Sequence, residues 1–218
     1  MREGHRPVRR VRLGLVGVLA GALLLAGCGG SGGPVGGVST PGNHGYHGTY
    51  LDDPYVIAPV ALEDTSGKSF SLAGQTAPVQ VVFFGYSHCP DICQIVMSTI
   101  ATALVRMPKS EQEKVQVSFV TTDPARDTGP VLRDYLDRFN PSFVGLTGSL
   151  STISAMAKPL HVYLEKGTKL ASGGYEVDHS TYVYGAVGGD VRVIWDQTTS
   201  PKHLEADIIK LLKQKETA

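Results

Sequence analysis

The sequence predicts an α/β sandwich built on a mixed sheet, and three observations carry that prediction. Val79-Gln80-Val81-Val82-Phe83-Phe84 is a nearly continuous apolar run ending at Gly85, the pattern of a central strand covered on both faces. Val96, Ile100, Ala103, Leu104 and Met107 then recur at helical spacing, as on a helix with one buried face. Strand-like and helix-like segments alternate from there to the C-terminus, which is how layered α/β domains read.

Taken in order, the globular pattern starts at about Pro54. Val56 to Leu62, a Thr65-Ser66-Gly67-Lys68 turn and Phe70 to Leu72 form an expected β-hairpin. The Val79 strand leads into a helix from about Cys93 to Met107, and Val115 to Thr122 is a second buried strand. Thr128 is placed to cap a helix through Phe139, with Val131, Tyr135 and Phe139 on one face. Ser149 to Ala157 is a short helix stopped before Pro159, and Val162-Tyr163-Leu164 reads as a strand. Thr181 to Ala186 and Val191 to Trp195 pair across Val187-Gly188-Gly189-Asp190. A last helix covers about Lys202 to Lys213, with Leu204, Ile208, Leu211 and Leu212 inward.

The N-terminus has a different composition. Five arginines stand in the first 12 residues, followed by a 15-residue apolar run, Leu13 to Gly27, short for a membrane span and typical of a signal-peptide core. The run ends in Leu25-Ala26-Gly27-Cys28, which resembles the lipobox of bacterial lipoproteins. That resemblance implies cleavage after residue 27, lipidation of Cys28 and a domain on the extracytoplasmic side of the cell membrane; a plain secretory signal or an uncleaved anchor is the alternative. Residues 28–53 are rich in Gly, Ser and Pro and read as a flexible tether, leaving 54–218 as the folded domain. Without the first 12 residues, 15 basic and 19 acidic side chains remain. A mildly acidic domain excludes the usual basic footprint of a nucleic-acid binder.

Subtracting Cys28 from three cysteines leaves Cys89 and Cys93. A disulfide closing so small a loop constrains the unfolded chain little, which weakens a purely structural reading. The segment Gly85-Tyr86-Ser87-His88-Cys89-Pro90-Asp91-Ile92-Cys93 joins the buried strand to a helix N-terminus, whose partial positive charge favours thiolate. If the first helical turn includes Cys89 to Cys93, the i, i+4 spacing puts both sulfurs on one face, with Pro90 at the first helical position. Two thiolates so placed grip one soft metal ion or form a disulfide. Two thiolates plus an imidazole suit Cu(I), hold Cu(II) and accept Zn(II).

A third ligand must then come from elsewhere. His5 is removed with the signal, His44 and His47 lie in the tether, His161 sits on an apolar stretch and His203 starts a solvated helix. His88 and His179 remain, the latter in the polar loop Gly174 to Ser180. Residue type and position leave His179 open between a ligand and a solvated loop histidine, and turn the His88 side chain away from the sulfur pair.

The run Gly85 to Cys93 resembles the signature of the Sco/SenC family of copper-binding cytochrome c oxidase assembly factors. Thr122-Asp123-Pro124-Ala125-Arg126-Asp127-Thr128, Phe143-Val144-Gly145-Leu146-Thr147-Gly148 and Val177-Asp178-His179-Ser180 resemble further family motifs in the same order. The resemblance implies a thioredoxin-like fold, a mixed central sheet flanked by helices with an added N-terminal β-hairpin. It also implies a copper ion held by Cys89, Cys93 and His179, with Asp178 supporting the site by charge and hydrogen bonding. The implied task is metallochaperone to the dinuclear copper centre of cytochrome c oxidase subunit II, with other extracytoplasmic copper chaperones as further partners. Asp123 and Arg126 are expected to shape their loop. Gln94 stands where the family often has proline, and Val187 to Asp190 replace its usual last hairpin turn. A thiol–disulfide oxidoreductase working through Cys89 and Cys93 on a copper-accepting partner is the competing reading. Peroxide reduction, with Arg126 supporting the thiolate, is a weaker third.

Overall fold

The computed structural model describes residues 42–169 and 175–217, with side chains over 42–164 and 180–214. The signal segment, Cys28 and the first part of the expected tether lie outside the described residues. In chain order the elements are β1 (Thr49–Val56), β2 (Leu62–Asp64), β3 (Ser69–Phe70), β4 (Val79–Gly85), α1 (Ile92–Arg106), α2 (Lys109–Gln112), β5 (Val115–Thr121) and α3 (Gly129–Asp137). They continue as β6 (Val144–Thr147), α4 (Leu150–Ala157), β7 (Leu164–Lys169), β8 (Tyr175–His179), β9 (Val183–Val187), β10 (Asp190–Trp195) and α5 (Pro201–Thr217). The main sheet has the order β1-β10-β9-β4-β5-β6-β2-β3. It is mixed, because β4, β5 and β6 run parallel and the other pairs antiparallel.

β4 sits at the centre, and its apolar run is explained by what covers each face. Val79, Val81 and Phe83 pack with α1, α3 and α5, whereas Val82 and Phe84 pack with α4, Leu62 and Leu72. A strand sandwiched in this way has no solvent face on which polar residues would alternate. Ser149 caps α4, its hydroxyl accepting from the Thr152 N–H at 3.1 Å. Thr128 occupies the N-cap of α3 without a side-chain hydrogen bond, and that helix ends at Asp137, earlier than its periodicity predicts.

Three expectations change. First, the tether stops short of residue 53. Tyr46 is fully buried, and β1 pairs antiparallel with β10 at the sheet edge. Asp207 of α5 explains this: its carboxylate accepts from His47 N (3.0 Å), Gly48 N (2.8 Å) and Trp195 Nε1 (2.8 Å). Glycine is required at 48, where an added Cβ would collide with the Trp195 ring and the Ile194 carbonyl. Composition showed a Gly-rich polar segment, but a buried acceptor some 160 residues away holds it.

Second, Val56 closes β1, and the hairpin consists of β2 and β3. Its turn is held by Asp64, which accepts from Ser66 N (2.8 Å) and Lys68 N (3.0 Å). Third, the strand expected at Val162 begins at Leu164, and the segment read as a polar loop before Ser180 contains β8, antiparallel to β7 with Leu164 opposite His179. Glu165-Lys166-Gly167-Thr168-Lys169 carries no apolar alternation to announce a strand.

Candidate metal centre

The loop between β4 and α1 brings the two cysteines together, though not as one helical turn. α1 starts at Ile92 with Asp91 at its N-cap, so Cys89 and Pro90 both precede the helix. Pro90 is therefore not its first residue. The Asp91 side chain makes no capping hydrogen bond; the Cys93 N–H instead points to the Cys89 sulfur at 3.4 Å. A sulfur thus stands where a side-chain oxygen usually caps a helix. The position at the positive helix end survives, reached by a turn in which Cys89 N donates to the Tyr86 carbonyl at 3.2 Å.

Both cysteines are free thiols, and both are buried: Cys89 is 5% exposed and Cys93 0%. The two thiols hydrogen-bond each other. That bond, then burial, then charge on Cys89 push the Cys93 thiol far above the ordinary cysteine range. The expectation that the helix end favours thiolate fails at Cys93, because the hydrogen bond with Cys89, with burial behind it, outweighs the helix end. The sulfur pair is therefore enclosed rather than open to solvent. Gly85 permits the arrangement, since a Cβ there would lie 3.0 Å from Cys93 Sγ and from the rings of Phe83 and Phe119.

The cysteine loop is fastened to the loop after β5 by Asp127, a fully buried residue that sequence reasoning passed over. Its carboxylate accepts from Ser87 N at 3.0 Å, Ser87 Oγ at 2.5 Å and Thr121 Oγ1 at 2.7 Å. Thr122 N adds a 2.7 Å bond to the Gly85 carbonyl. Asp123 pairs with Arg126, whose guanidinium lies 5.6 Å from the Tyr86 ring centre. These contacts shape the loop, as the sequence suggested for Asp123 and Arg126. His88 is half-exposed, with Nδ1 2.9 Å from Ser87 Oγ and 3.7 Å from Asp127.

Asp178 and His179 are the last two residues of β8, and their side chains lie outside the described ones. The backbone after them is anchored where Ser180 N donates to the Tyr163 carbonyl at 3.3 Å and Tyr163 N donates to Ser180 Oγ at 3.0 Å. Val183, which opens β9, pairs with Phe83. The chain therefore passes from His179 into the sheet at the end of β4 that carries the cysteine loop. Among the described side chains, no three His, Cys, Asp or Glu residues gather as a metal cluster. The donors present are two adjacent sulfurs, a soft pair that fits copper or zinc.

Comparison with known proteins decides the family. The model described as SCO1/SenC matches residues 49–213. The chain belongs to the SCO1/SenC family. The mitochondrial SCO2 protein of Saccharomyces cerevisiae is 34% identical over 127 residues, 58% of this chain and 42% of that protein. The chain thus spans about half the length of the curated relatives it matches. Yeast Sco1 with copper bound superposes with a TM-score of 0.66 at 31% identity, over 73% of this chain and 90% of that one. BsSco, whose structure is described by a disulfide switch and as a member of the Sco family of cytochrome c oxidase assembly proteins, gives 0.59 at 25% identity, over 77% and 98%. The mixed sheet flanked by helices is the thioredoxin-like fold that this SCO1/SenC chain shares with them.

Proposed function

We propose that this SCO1/SenC protein is a copper metallochaperone, holding Cu(I) or Cu(II) through Cys89, Cys93 and His179 and aiding assembly of the dinuclear copper centre of cytochrome c oxidase subunit II. The observation that carries this reading is the pair of free, mutually hydrogen-bonded thiols at the start of α1. Two soft donors without a disulfide form an incomplete ligand set, which one imidazole brings to the three-coordinate arrangement Cu(I) accepts. The copper-bound yeast relative supports copper over zinc. In this reading copper is cargo. Asp178 supports His179, and the chain is exported and lipidated at Cys28, which keeps the domain at the extracytoplasmic membrane surface.

Burial sets how delivery works. An acceptor cannot reach sulfurs this enclosed without movement of the segments around them, so release is coupled to opening at the acceptor. Anaerobic Cu(I) titration against a chromogenic chelator tests the reading. Wild type should take up one equivalent, Cys89→Ser and Cys93→Ser should lose tight binding, and His179→Ala should bind at least tenfold more weakly. Wild-type affinity in His179→Ala would remove the histidine from the ligand set.

The hydrogen-bonded thiols also favour a second reading, thiol–disulfide exchange. Cys89 and Cys93 would reduce a partner's disulfide to two thiols and themselves close to a disulfide, the two electrons and two protons passing to the partner. Turnover of such a partner by copper-free protein, retained in His179→Ala and lost in either cysteine variant, identifies that activity.

A further inference from the structure

Two histidines from the two ends of the domain meet on its surface. His47 is exposed and precedes β1, and His203 is half-buried in the first turn of α5. Their imidazole rings stack, with centroids 4.0 Å apart and planes 6° from parallel. Both backbones are fixed beneath the rings. The His47 N–H donates to both oxygens of the Asp207 carboxylate at 3.0 Å, and the His203 N–H donates to Ser200 Oγ at 3.3 Å. Asp207 stands one helical turn beyond His203 and is buried. A fixed carboxylate therefore backs the pair.

Each neutral imidazole offers one nitrogen lone pair, and imidazole suits Cu(II), Ni(II) and Zn(II). With metal–nitrogen bonds of about 2.0–2.1 Å, two nitrogens on one square-planar or tetrahedral ion stand about 2.9–3.4 Å apart. Rings centred 4.0 Å apart come within that spacing. In the stack their lone pairs run parallel, so chelation requires the exposed His47 ring to tilt while its backbone stays on Asp207. Water completes the coordination. Asp207 is not a ligand, because its oxygens already accept from His47, Gly48 and Trp195; its charge favours a cation beside the rings.

We propose that His47 and His203 form a second metal site, sharing no ligand with the cysteine pair, for a divalent first-row transition ion. Cu(II) should bind it most tightly, by the general order of affinities at nitrogen sites. One ligand comes from the segment before β1 and the other from α5, so a bound ion cross-links the two. Only the folded chain presents both rings together, and binding therefore stabilises the fold and the docked segment.

Cu(II) titration of the untagged full chain in detergent tests this, in a Cys89→Ser/Cys93→Ser/His179→Ala background that removes every proposed ligand of the first centre. Saturating Cu(II) should raise the melting temperature and slow amide exchange at Gly48, and paramagnetic resonance should show two nitrogen ligands. His47→Ala and His203→Ala should each weaken binding about tenfold or more and abolish the slowing. His44→Ala, whose imidazole pairs with Asp52 instead, should change neither. Ni(II) should slow the same amide in the chain with its cysteines intact, and His203→Ala should abolish that effect too. Affinity unchanged by His47→Ala or by His203→Ala overturns the proposal, as does Gly48 exchange that neither ion alters. The copper reading of Cys89 and Cys93 stands or falls separately.

Discussion

At Cys93 two influences oppose each other. The helix N-terminus favours thiolate, while the hydrogen bond with Cys89 and burial hold the proton. The folded pKa therefore lies above the unfolded value. The protonated thiol contributes its full stability below about pH 8.5, the unfolded value, and that contribution is lost as pH rises toward the folded pKa. Metal-free protein is expected to lose about 1.4 kcal/mol per pH unit above about pH 9 in urea unfolding. Cys93→Ala should flatten that slope below pH 10, above which the raised tyrosines Tyr46, Tyr135 and Tyr184 add to it; an unchanged slope would contradict the assignment. Asp127 gives a second residue-scale test. Asp127→Ala leaves the buried Thr121 hydroxyl and two partly buried Ser87 donors without their acceptor and should cost about 2–4 kcal/mol in the same assay. The cysteines were legible because type and spacing carry their chemistry. Asp127 was not, since its partner Ser87 lies forty residues away, a relation absent from any local pattern.

Elements with a strong period were legible, and those defined by a partner were not. β4 and α1 follow from their apolar patterns, and α4 from its pattern and its serine cap. β1 exists because β10 offers an edge and Asp207 holds the residues before it; β7 and β8 exist because each pairs with the other. The start of α1 was misplaced because a cysteine sulfur caps it, which residue preferences do not anticipate. Asp207→Ala should therefore act at a distance from α5. It frees the His47 and Gly48 N–H groups, so their amide exchange should speed up by at least tenfold, and Trp195 emission should shift to the red. Exchange at wild-type rates would show that Tyr46 and β1 hold the segment without the carboxylate.

For the whole molecule, the sheet separates two cores and delivers three chain segments to one end: the cysteine loop after β4, the Asp127 loop after β5 and the chain entering β9. That convergence is a property of the parallel β4–β5 pair and the antiparallel β4–β9 pair; a mixed sheet was legible in the sequence, but the order of its strands was not, because pairing between distant segments leaves no local pattern. In the proposed ligand set copper uptake expels the Cys93 proton, so affinity should rise with pH, by about two logarithmic units per pH unit near neutrality if both thiols release protons. It should weaken further below about pH 6.5 as the imidazole protonates. Equal affinity at about pH 8 and about pH 5 would exclude this ligand set. The most direct test is copper K-edge absorption on the loaded full chain and its His179→Ala variant. Two sulfurs and one imidazole nitrogen should surround the metal in the first, with the imidazole scattering lost in the second. A first shell without sulfur, or imidazole scattering unchanged by His179→Ala, would contradict the account.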